Sequence, residues 1–383
     1  MSREFGKMII FIRDNECFEP RVQNYLRYFD EHEIDYNVLA WDRRGTAEPN
    51  SKITFFQRRA EYGKRIANIP NKIAWMFFVV REIWKRRREC CLIHACDIDA
   101  ILPALLMGRI LHKKVVFDIF DWISSLTGKG VVYKVVEFLQ NYAYAHSDAV
   151  ILCEEERRSQ AKTQNHSVLV LPNIPDGKVE LDEKTLEITS KDRKEYTFTI
   201  SYVGVFDRDR GLENLLSSVS KNKNVLLNIA GFGVLDEQVQ NYAKKYNNIH
   251  YWGRVEYAVG QAIMKNSDVM AAMYHLTSPL HKFAAPNKYY ESLLLGVPMI
   301  TTEGTLVASK VKKYDTGFVL GETEAALQDM LSCPDLAERI KQKSSNCRET
   351  WKTVYAAYYE NFMREKYLPL LRKKSWHVAK KRR

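Results

Sequence analysis

Short apolar runs alternate with helix-like stretches along this chain in two successive series, and this alternation restricts its fold more than any other feature. The apolar runs of the first series lie at residues 8–12, 36–41, 91–95, 115–117, 149–153 and 168–171. Helical periodicity predicts helices between them at residues 21–33, 73–88, 100–111 and 131–146. Buried strands that alternate with helices are typical of a parallel sheet covered on both faces.

The second series begins after a polar, charged and weakly periodic stretch, residues 176–195, which the sequence predicts to be a linker. Its apolar runs lie at residues 198–203, 225–230, 249–252, 269–273, 299–302 and 318–320. A chain of 383 residues also exceeds the size at which one core usually stops growing. We therefore expect an α/β chain with two Rossmann-like, doubly wound domains, residues 1–175 and 176–350, that face a central cleft.

The charge is unevenly distributed. The net charge is +11, and seven Lys or Arg with no acid lie between Arg372 and the end. Residues 81–88 contribute five more cations around Glu82. A polybasic end attracts polyanions, either nucleic acid or an anionic membrane surface. Because no recognised nucleic-acid motif accompanies the charge, we expect no nucleic-acid partner.

Cysteine usage and hydropathy bear on the compartment. The seven cysteines form no CxxC motif and accompany no clustered histidines, which indicates reduced cytosolic thiols and no zinc site. The first apolar run is short and lacks a small-residue cleavage site, so it predicts a strand and not a signal peptide. No segment approaches the roughly eighteen uninterrupted apolar residues of a membrane span. The expectation is a cytoplasmic protein, soluble or peripheral to the membrane.

Residues 286–298 predict one short helix with clear ends. A proline lies near its start, a glycine just past its end and a second proline beyond. Lys288 and Glu291 share a face near the positive end of the helix dipole. A lysine at a helix N-terminus suits a diphosphate, and the carboxylate can accept both hydroxyls of a ribose. The alternative interpretation is a surface ion pair on an ordinary helix.

The glycine-containing turns of the second series resemble those of a known family. They read YVGV at 202–205 with RGLENL at 210–215, AGFG at 230–233, WGRV at 252–255, and PNKYYE at 286–291 followed by GVP. Turns in this order at domain spacing are more specific than any one alone. The chain resembles GT-B glycosyltransferases, and more narrowly the bacterial members of glycosyltransferase family four that build capsule, exopolysaccharide or O-antigen.

The resemblance implies that these turns bind a nucleotide-diphosphate sugar. The residues that it assigns to the donor site are Gly204, Arg208, Arg210, Gly231, Arg254, Lys288 and Glu291. Phe283 stands where many relatives have a glutamate, so contacts to the donor sugar would come from backbone amides and His281 or Lys282. Val205 takes the place of the family's first basic phosphate contact, which leaves Arg208 or Arg210 to supply that charge.

The first series carries the acceptor side of the resemblance, in LIHACD at 92–97 with LPA at 102–104, VFDIFD at 116–121 and LPN at 171–173. Open α/β sheets bind ligands at the carboxyl ends of their strands. We therefore expect Asp97, Asp118 and Asp121 to point into the cleft as candidate bases, although each could instead cap the helix that follows. Phe120 stands where many relatives have a histidine.

The resemblance implies a reaction without a metal, in which preorganised cations and helix N-termini stabilise the leaving diphosphate. Asp97-Ile98-Asp99 and Asp207-Arg208-Asp209 spell a DxD triplet, but neither has further metal ligands nearby in the sequence. We expect no metal and no cofactor, with the nucleotide sugar as substrate.

Two further groups have open interpretations. His94 lies inside an apolar strand, which favours a hydrogen-bonded core histidine over a ligand. The aromatic side chains of the second predicted helix could pack on the sheet or, with the basic residues around them, meet a membrane interface; they are Trp75, Phe77, Phe78 and Trp84. We expect them to do both.

The function that follows is a retaining glycosyltransferase with a UDP-linked donor and a lipid-linked saccharide acceptor, peripheral at the inner face of the cytoplasmic membrane. In this family the final helix returns to the first domain, so residues 351–383 would form a helix that Pro369 stops, followed by the basic tail. One alternative is a GT-B sugar-nucleotide epimerase, which needs acids and histidines around the sugar ring. A non-enzymatic polyanion-binding protein, suggested by charge alone, is the other.

Overall fold

The computed structural model describes residues 8–15, 18–60, 68–122, 130–175 and 181–371. The chain forms two compact units: unit 1 is Met1–Pro172 with Tyr359–Arg383, and unit 2 is Asn173–Tyr358. The basic tail predicted from Arg372 onward lies outside the described residues. None of the helices in the described ranges is both long enough and apolar enough to span a bilayer.

The sheet of unit 1 is parallel throughout. Its strands are β1 Met8–Arg13, β2 Tyr36–Asp42, β3 Ile53–Gln57, β4 Cys90–Cys96, β5 Lys114–Ile119, β6 Ala149–Leu152 and β7 Val168–Val170. They lie side by side in the order β3-β2-β1-β4-β5-β6-β7. The chain thus leaves β1 first in one direction and then in the other, which defines a doubly wound sheet.

Helices cover both faces of this sheet. They are α1 Pro20–Glu31, α2 Ile69–Lys85, α3 Ile98–Leu111 and α4 Val131–His146. Ile10 and Ile12 of β1 share one core with buried residues of α2, α3 and α4. Phe11 between them contacts Tyr25 of α1, with ring centroids 5.7 Å apart. Because successive strand residues point to opposite faces, α1 lies on the face opposite to the other three helices.

Unit 2 repeats this architecture with six parallel strands. They are β8 Phe198–Phe206, β9 Val225–Gly233, β10 Ile249–Gly253, β11 Val269–Ala271, β12 Met299–Thr302 and β13 Gly317–Leu320, in the order β10-β9-β8-β11-β12-β13. The helices are α5 Glu183–Ser190, α6 Leu212–Ser220, α7 Asp236–Lys245, α8 Tyr257–Lys265, α9 Asn287–Leu295, α10 Leu306–Tyr314, α11 Glu324–Leu331 and α12 Leu336–Thr350. The predicted fold class, two Rossmann-like α/β domains, is confirmed.

One local prediction was wrong in unit 2, and one strand of unit 1 was missed. The predicted linker contains α5 and a 3₁₀ helix, Lys191–Glu195. Asp182 accepts a hydrogen bond from the Thr185 N–H and caps α5, and Asn266 Nδ2 donates to Leu186 O at 2.8 Å. This polar segment is held in place by hydrogen bonds. Such contacts need no periodic apolar residues, so the sequence shows no hydrophobic pattern there. The missed strand is β3, a half-buried edge strand.

The C-terminal helical stretch continues past the residue predicted to stop it. After α12 come a π-helical segment Trp351–Tyr355, α13 Tyr358–Phe362, a second π-helical segment Met363–Tyr367 and α14 Leu368–Leu371. Pro369 lies in the first turn of α14 and does not end the helix. The turn before it is π-helical, with the Leu368 N–H bonded to Met363 O, so Pro369 lies inside a continuous helical stretch.

Candidate functional site

The N-terminus of α9 offers its backbone N–H groups without a side-chain cap. Pro286 occupies the N-cap position and makes no capping hydrogen bond through its side chain. Gly296 ends the helix in the left-handed conformation, with φ of 69°. The buried rings of Tyr289 and Tyr290 fix α9 in a core with β11 and β12. The sequence therefore sets a rigid helix whose positive end is available to an anion.

Lys288 and Glu291 form a close ion pair on the first turns of α9. Lys288 Nζ lies 2.7 Å from Glu291 Oε2, and Tyr257 of α8 donates its hydroxyl to Oε1 at 3.2 Å. The Glu291 side chain is only 3% exposed, whereas that of Lys288 is 23% exposed. The alternative interpretation as a surface ion pair is wrong, because the carboxylate is buried and oriented from both sides.

Arg210 extends this charged group. Its guanidinium lies 4.8 Å from the ring centroid of Tyr274. Burial raises the pKa of Tyr274 to about 12; the Arg210 charge opposes the shift, and the Glu291 charge adds to it. Arg210, Tyr274 and Glu291 are therefore near enough to interact electrostatically. Tyr257 and Tyr274 are not among the residues predicted from the sequence, although their positions beyond the ends of β10 and β11 are a signal that could have identified them.

His281 sits beside the same arginine. Its Nδ1 lies 2.8 Å from His275 O, and its Nε2 lies 3.5 Å from Asp209 Oδ2. Burial lowers the pKa of His281; the hydrogen bond to His275 and the Asp209 charge oppose the shift, and the Arg210 charge adds to it. The imidazole is thus held neutral, with Nδ1 as the donor to a carbonyl. In that tautomer Nε2 is the acceptor, so a neutral His281 can accept a hydrogen bond there without adding charge.

Gly204 of β8 and Gly231 of β9 lie opposite each other near the carboxyl ends of their strands, and only Gly231 requires a glycine. At Gly231, φ is 150°, and a Cβ would lie 1.8 Å from Gly204 O. A Cβ at Gly204 would meet nothing nearer than Tyr202 Oη at 3.7 Å. Gly231 is therefore imposed by the close approach of two strand ends, while Gly204 leaves open space beside the chain. Their assignment to a donor stays a prediction.

Arg208 and Arg254 are exposed cations at this edge of unit 2. The Arg208 side chain is 75% exposed and lies 3.8 Å from Glu213. Arg254 lies 4.8 Å from the ring centroid of Phe232, whose side chain is itself half exposed. Both arginines are placed to contact an anionic or aromatic ligand without first breaking a buried ion pair.

Asp97 follows β4 in unit 1 and holds the next strand end in place. Its Oδ1 accepts hydrogen bonds from the backbone N–H of Phe120 at 2.9 Å and of Asp121 at 3.3 Å. Its Oδ2 lies 2.5 Å from Arg13. Burial raises the pKa of Asp97 to about 6, against the lowering by Arg13. With φ of 62° and ψ of 179°, Asp97 occupies a region that almost only glycine adopts, a strain typical of functional sites.

Asp118 was predicted to point into an open cleft, and that prediction was wrong. The residue has no exposure, and its Oδ1 lies 2.6 Å from Arg21. Its Oδ2 lies 3.3 Å from His94 Nε2, and Nδ1 of the same imidazole lies 2.9 Å from the Tyr367 hydroxyl. The side chain faces α1 and the C-terminal helical stretch within unit 1. Asp118 is a structural anion, and His94 is the hydrogen-bonded core histidine that the sequence predicts.

Asp121 is the one exposed residue of the three candidate acids. Its N–H donates to Asp97 and its carbonyl accepts from Gln140 Nε2 at 3.3 Å, so the backbone is fixed while the side chain meets solvent. Neither of these contacts caps α4. Asp121 therefore keeps the geometry expected of a proton acceptor at the edge of the sheet.

Possible metal ligands are already engaged by cations. In the described residues, His94, Cys96 and Asp118 come within 4.8 Å of one another, all buried. Arg21 already neutralises Asp118, and burial raises the pKa of the Cys96 thiol, so this group fits a cation poorly. Asp99 pairs with Lys72, whereas Asp97 pairs with Arg13. Each acid of that DxD triplet is therefore already bound to a different cation. The expectation of a metal-free site stays a prediction.

Comparisons with known proteins relate this geometry to a family. Residues 183–346 match the family model described as Glycosyl transferases group 1. Anabaena HepE in complex with UDP-glucose has a similar structure, with a TM-score of 0.71 and 14% identity over 95% of this chain and 100% of that one. No curated protein matches the sequence significantly.

Two further solved structures are similar. Sucrose-phosphate synthase from Thermosynechococcus elongatus has a TM-score of 0.66 at 14% identity, over 95% of this chain and 100% of that one. WaaG, a glycosyltransferase involved in lipopolysaccharide biosynthesis, has a TM-score of 0.64 at 13% identity, over 92% and 98%. Structural likeness at these identities shows the fold alone. The chain thus has the GT-B fold, and its residues 183–346 match the model of the glycosyl transferases group 1 family.

Proposed function

We propose that this protein transfers a sugar from a nucleotide-diphosphate donor, UDP-linked, to a lipid-linked saccharide acceptor in bacterial surface polysaccharide biosynthesis. The observation that carries the proposal is the buried Glu291 with Lys288 on the first turns of α9, inside the segment that matches the family model. A partly exposed ammonium beside an uncapped helix N-terminus is suited to a diphosphate.

The donor would be held by unit 2. Lys288 and the N–H groups of α9 would contact the diphosphate, and Glu291 would accept the ribose hydroxyls in place of its bond from Tyr257. Arg210, near Glu291 through Tyr274, adds a second cation. HepE was solved with UDP-glucose, which supports a UDP-linked donor for this chain.

The chemistry that these residues support is stabilisation of a leaving diphosphate. As the glycosidic bond breaks, negative charge develops on the diphosphate oxygens, and fixed cations with helix dipoles lower the energy of that state without a metal. Asp121 would receive the proton of the attacking hydroxyl. Retention of configuration follows from the family resemblance.

The acceptor and the cellular location belong to the same proposal. WaaG acts in lipopolysaccharide biosynthesis, and the net charge of +11 favours an anionic surface over a neutral one. We place the protein at the inner face of the cytoplasmic membrane, in contact with anionic lipid and without nucleic acid.

The test is a thermal-shift screen of nucleotide sugars against the intact protein. A ligand at a hundred times its dissociation constant adds about 2.7 kcal/mol to the free energy of unfolding. Stabilisation by UDP-sugars that Lys288→Met abolishes would support the proposal. A protein that no nucleotide or nucleotide sugar stabilises would contradict it.

Product analysis then separates the proposed activity from the alternatives. Conversion of a UDP-sugar to its epimer without acceptor would indicate the epimerase. Binding to oligonucleotides without any response to nucleotide sugars would indicate the polyanion-binding protein. Transfer to a lipid-linked saccharide with release of UDP is the result that we expect.

A further inference from the structure

The described part of unit 1 exposes its large apolar side chains on one group of helices. All of them lie on α2, α3 and α4, which we call the three-helix face. They are Ile69, Ile73, Phe77 and Trp84 on α2, Leu106 and Ile110 on α3, and Val131, Val132, Val135 and Phe138 on α4. The two phenylalanines are 72% and 67% exposed, so these side chains do not belong to the core.

The three helices present these side chains side by side. Helix α3 packs against both α2 and α4, and all three bury residues in the same core against the sheet. Their outward sides therefore form one surface. Single exposed apolar residues are common, but a continuous apolar surface of this extent marks an interaction site.

Helix α2 is apolar on two sides, which a helix covering a sheet does not need. Trp75 packs on the sheet, with its ring stacked 6.0 Å from Trp41. Phe77 and Trp84 lie seven residues apart on the outward side. The structure thus divides the aromatic residues of this helix between the core and the outer surface, as the sequence predicts.

Cations border the apolar surface at the C-terminal ends of the helices. On α2, the buried Glu82 is paired with Arg81, Lys85 and Arg86, which cancels the one acid among them. Arg87 stacks its guanidinium 4.7 Å from the Trp84 ring centroid. Cations at a helix C-terminus also complement the helix dipole, but that role does not explain the exposed tryptophan beside them.

A second basic group lies at the ends of α3 and α4. A cavity of about 320 Å³ opens there, lined by Arg109, His112, Lys113, His146 and Asp148 among others. Asp148 Oδ2 accepts the backbone N–H of Val115 at 2.9 Å. Arg109 and Lys113 make this cavity basic. It lies at the C-terminal end of α3, the helix that carries Leu106 and Ile110 of the apolar surface.

We infer that the three-helix face binds the surface of an anionic phospholipid bilayer, with its apolar side chains among the lipid headgroups and its basic helix ends against lipid phosphate. An apolar surface bordered by Lys, Arg and Trp suits that interface, whereas a protein partner would need matching acids. The inference rests on this surface alone. It adds to the proposed function the part of the molecule that would meet the membrane.

The described chain ends at the same edge of unit 1. Lys114 Nζ donates to Leu370 O at 3.0 Å, and β5 begins at Lys114 just after the basic end of α3. Leu370 therefore lies beside the basic edge of the three-helix face, two positions before the seven cations that begin at Arg372 in the sequence. Deleting residues 372–383 separates the contribution of the tail from that of the face.

The experiment is flotation of the full-length protein with vesicles of phosphatidylglycerol and phosphatidylcholine, and with phosphatidylcholine alone. The test variant is Phe77→Ser with Phe138→Ser, and the matched control is Ile188→Ser with Val234→Ser, which changes two exposed apolar residues of unit 2. We expect binding to the anionic vesicles only, weaker at high salt. We expect at least a tenfold loss of partitioning in the test variant and none in the control.

A charge variant and a mass measurement complete the test. Arg88→Glu with Lys113→Glu should weaken binding to anionic vesicles while leaving the melting temperature unchanged. No binding by the wild type, equal losses in test and control variants, or loss on tail deletion but not on Phe77→Ser with Phe138→Ser would each overturn the inference. So would a dimer, measured by light scattering, that the phenylalanine substitutions dissociate. Because no step uses a donor sugar, vesicle binding without nucleotide-sugar binding would contradict the proposed function and leave this inference standing.

Discussion

Tyr257 donates its hydroxyl to Glu291 Oε1 at 3.2 Å, and this bond joins the first residue of α8 to the buried carboxylate of α9. Lys288 pairs with the other carboxylate oxygen, Oε2. Both oxygens that would accept the ribose hydroxyls are therefore oriented before a ligand binds. A donor that displaces Tyr257 meets a carboxylate that is already oriented. Preorganisation of this kind lowers the entropic cost of binding.

Replacing Lys288 by methionine should weaken donor binding by about 1.5 to 3 kcal/mol, because a charge-assisted contact to the diphosphate is lost. Glu291→Gln should cost a similar amount through the ribose. Isothermal calorimetry with UDP and a UDP-sugar measures both. The matched control is Lys312→Met, which removes a lysine paired with Glu303 at the surface. Wild-type affinity in both test variants would remove α9 from the nucleotide site.

Asp121→Asn should lower turnover by roughly a hundredfold or more while leaving the donor dissociation constant unchanged, because it removes a proton acceptor without changing its backbone contacts. Steady-state rates with a lipid-linked acceptor and calorimetry with the donor check the two parts. If turnover is unchanged, Asp97 becomes the candidate and Asp97→Asn the next variant, since Asp118 is enclosed.

His94 should make the protein less stable as the pH falls. Burial lowers the pKa of His94, and the nearby Asp118 carboxylate opposes the shift. In the unfolded chain the imidazole takes up a proton near its ordinary pKa of about 6.5, whereas the folded chain resists protonation. Stability is therefore present above that pH and falls below it, by up to about 1.4 kcal/mol per pH unit. Urea unfolding of wild type and His94→Gln at neutral and mildly acidic pH measures the difference. An identical pH dependence in the two proteins would contradict this role.

Gly231→Ala should destabilise the protein by about 3 kcal/mol or more, because its Cβ would lie 1.8 Å from Gly204 O at a φ that side chains rarely adopt. Gly45→Ala is the matched control: its φ is also positive, at 74°, but a Cβ there meets nothing within 4 Å. We expect the control to cost about 1 to 2 kcal/mol from backbone strain alone. Thermal unfolding monitored by circular dichroism distinguishes the two. Equal losses of stability in the two variants would show that the ends of β8 and β9 move apart at little energetic cost.

Hydrophobic pattern predicted the sheets of both units because their strands are buried on both faces and read as continuous apolar runs. It failed where other forces hold the chain. Helix α5 is fixed by Asn266 and Asp182, and β3 is a half-buried edge strand of Ile, Thr and Phe. Neither leaves a periodic apolar signal.

Side-chain direction was the harder part of the candidate site. Asp97, Asp118 and Asp121 all follow or end strands, and the sequence gives them equal standing. The structure distinguishes them by their partners. Asp118 pairs with Arg21 of α1, which is 97 positions away in the chain, and Asp97 pairs with Arg13. The partners of a buried charge come from distant parts of the chain, and spacing within a motif does not reveal them.

The hydrogen bond between His94 and Tyr367 spans 273 positions of the chain, and it closes the core of unit 1 only after unit 2 has left the ribosome. At roughly 5 to 20 residues per second, synthesis of Asn173–Tyr358 takes on the order of ten to forty seconds. During that interval Tyr25 and Phe29 of the nascent first unit lack the ring of Tyr367 that later packs against them. This apolar face is open to chaperones and to other nascent chains while unit 2 is being made.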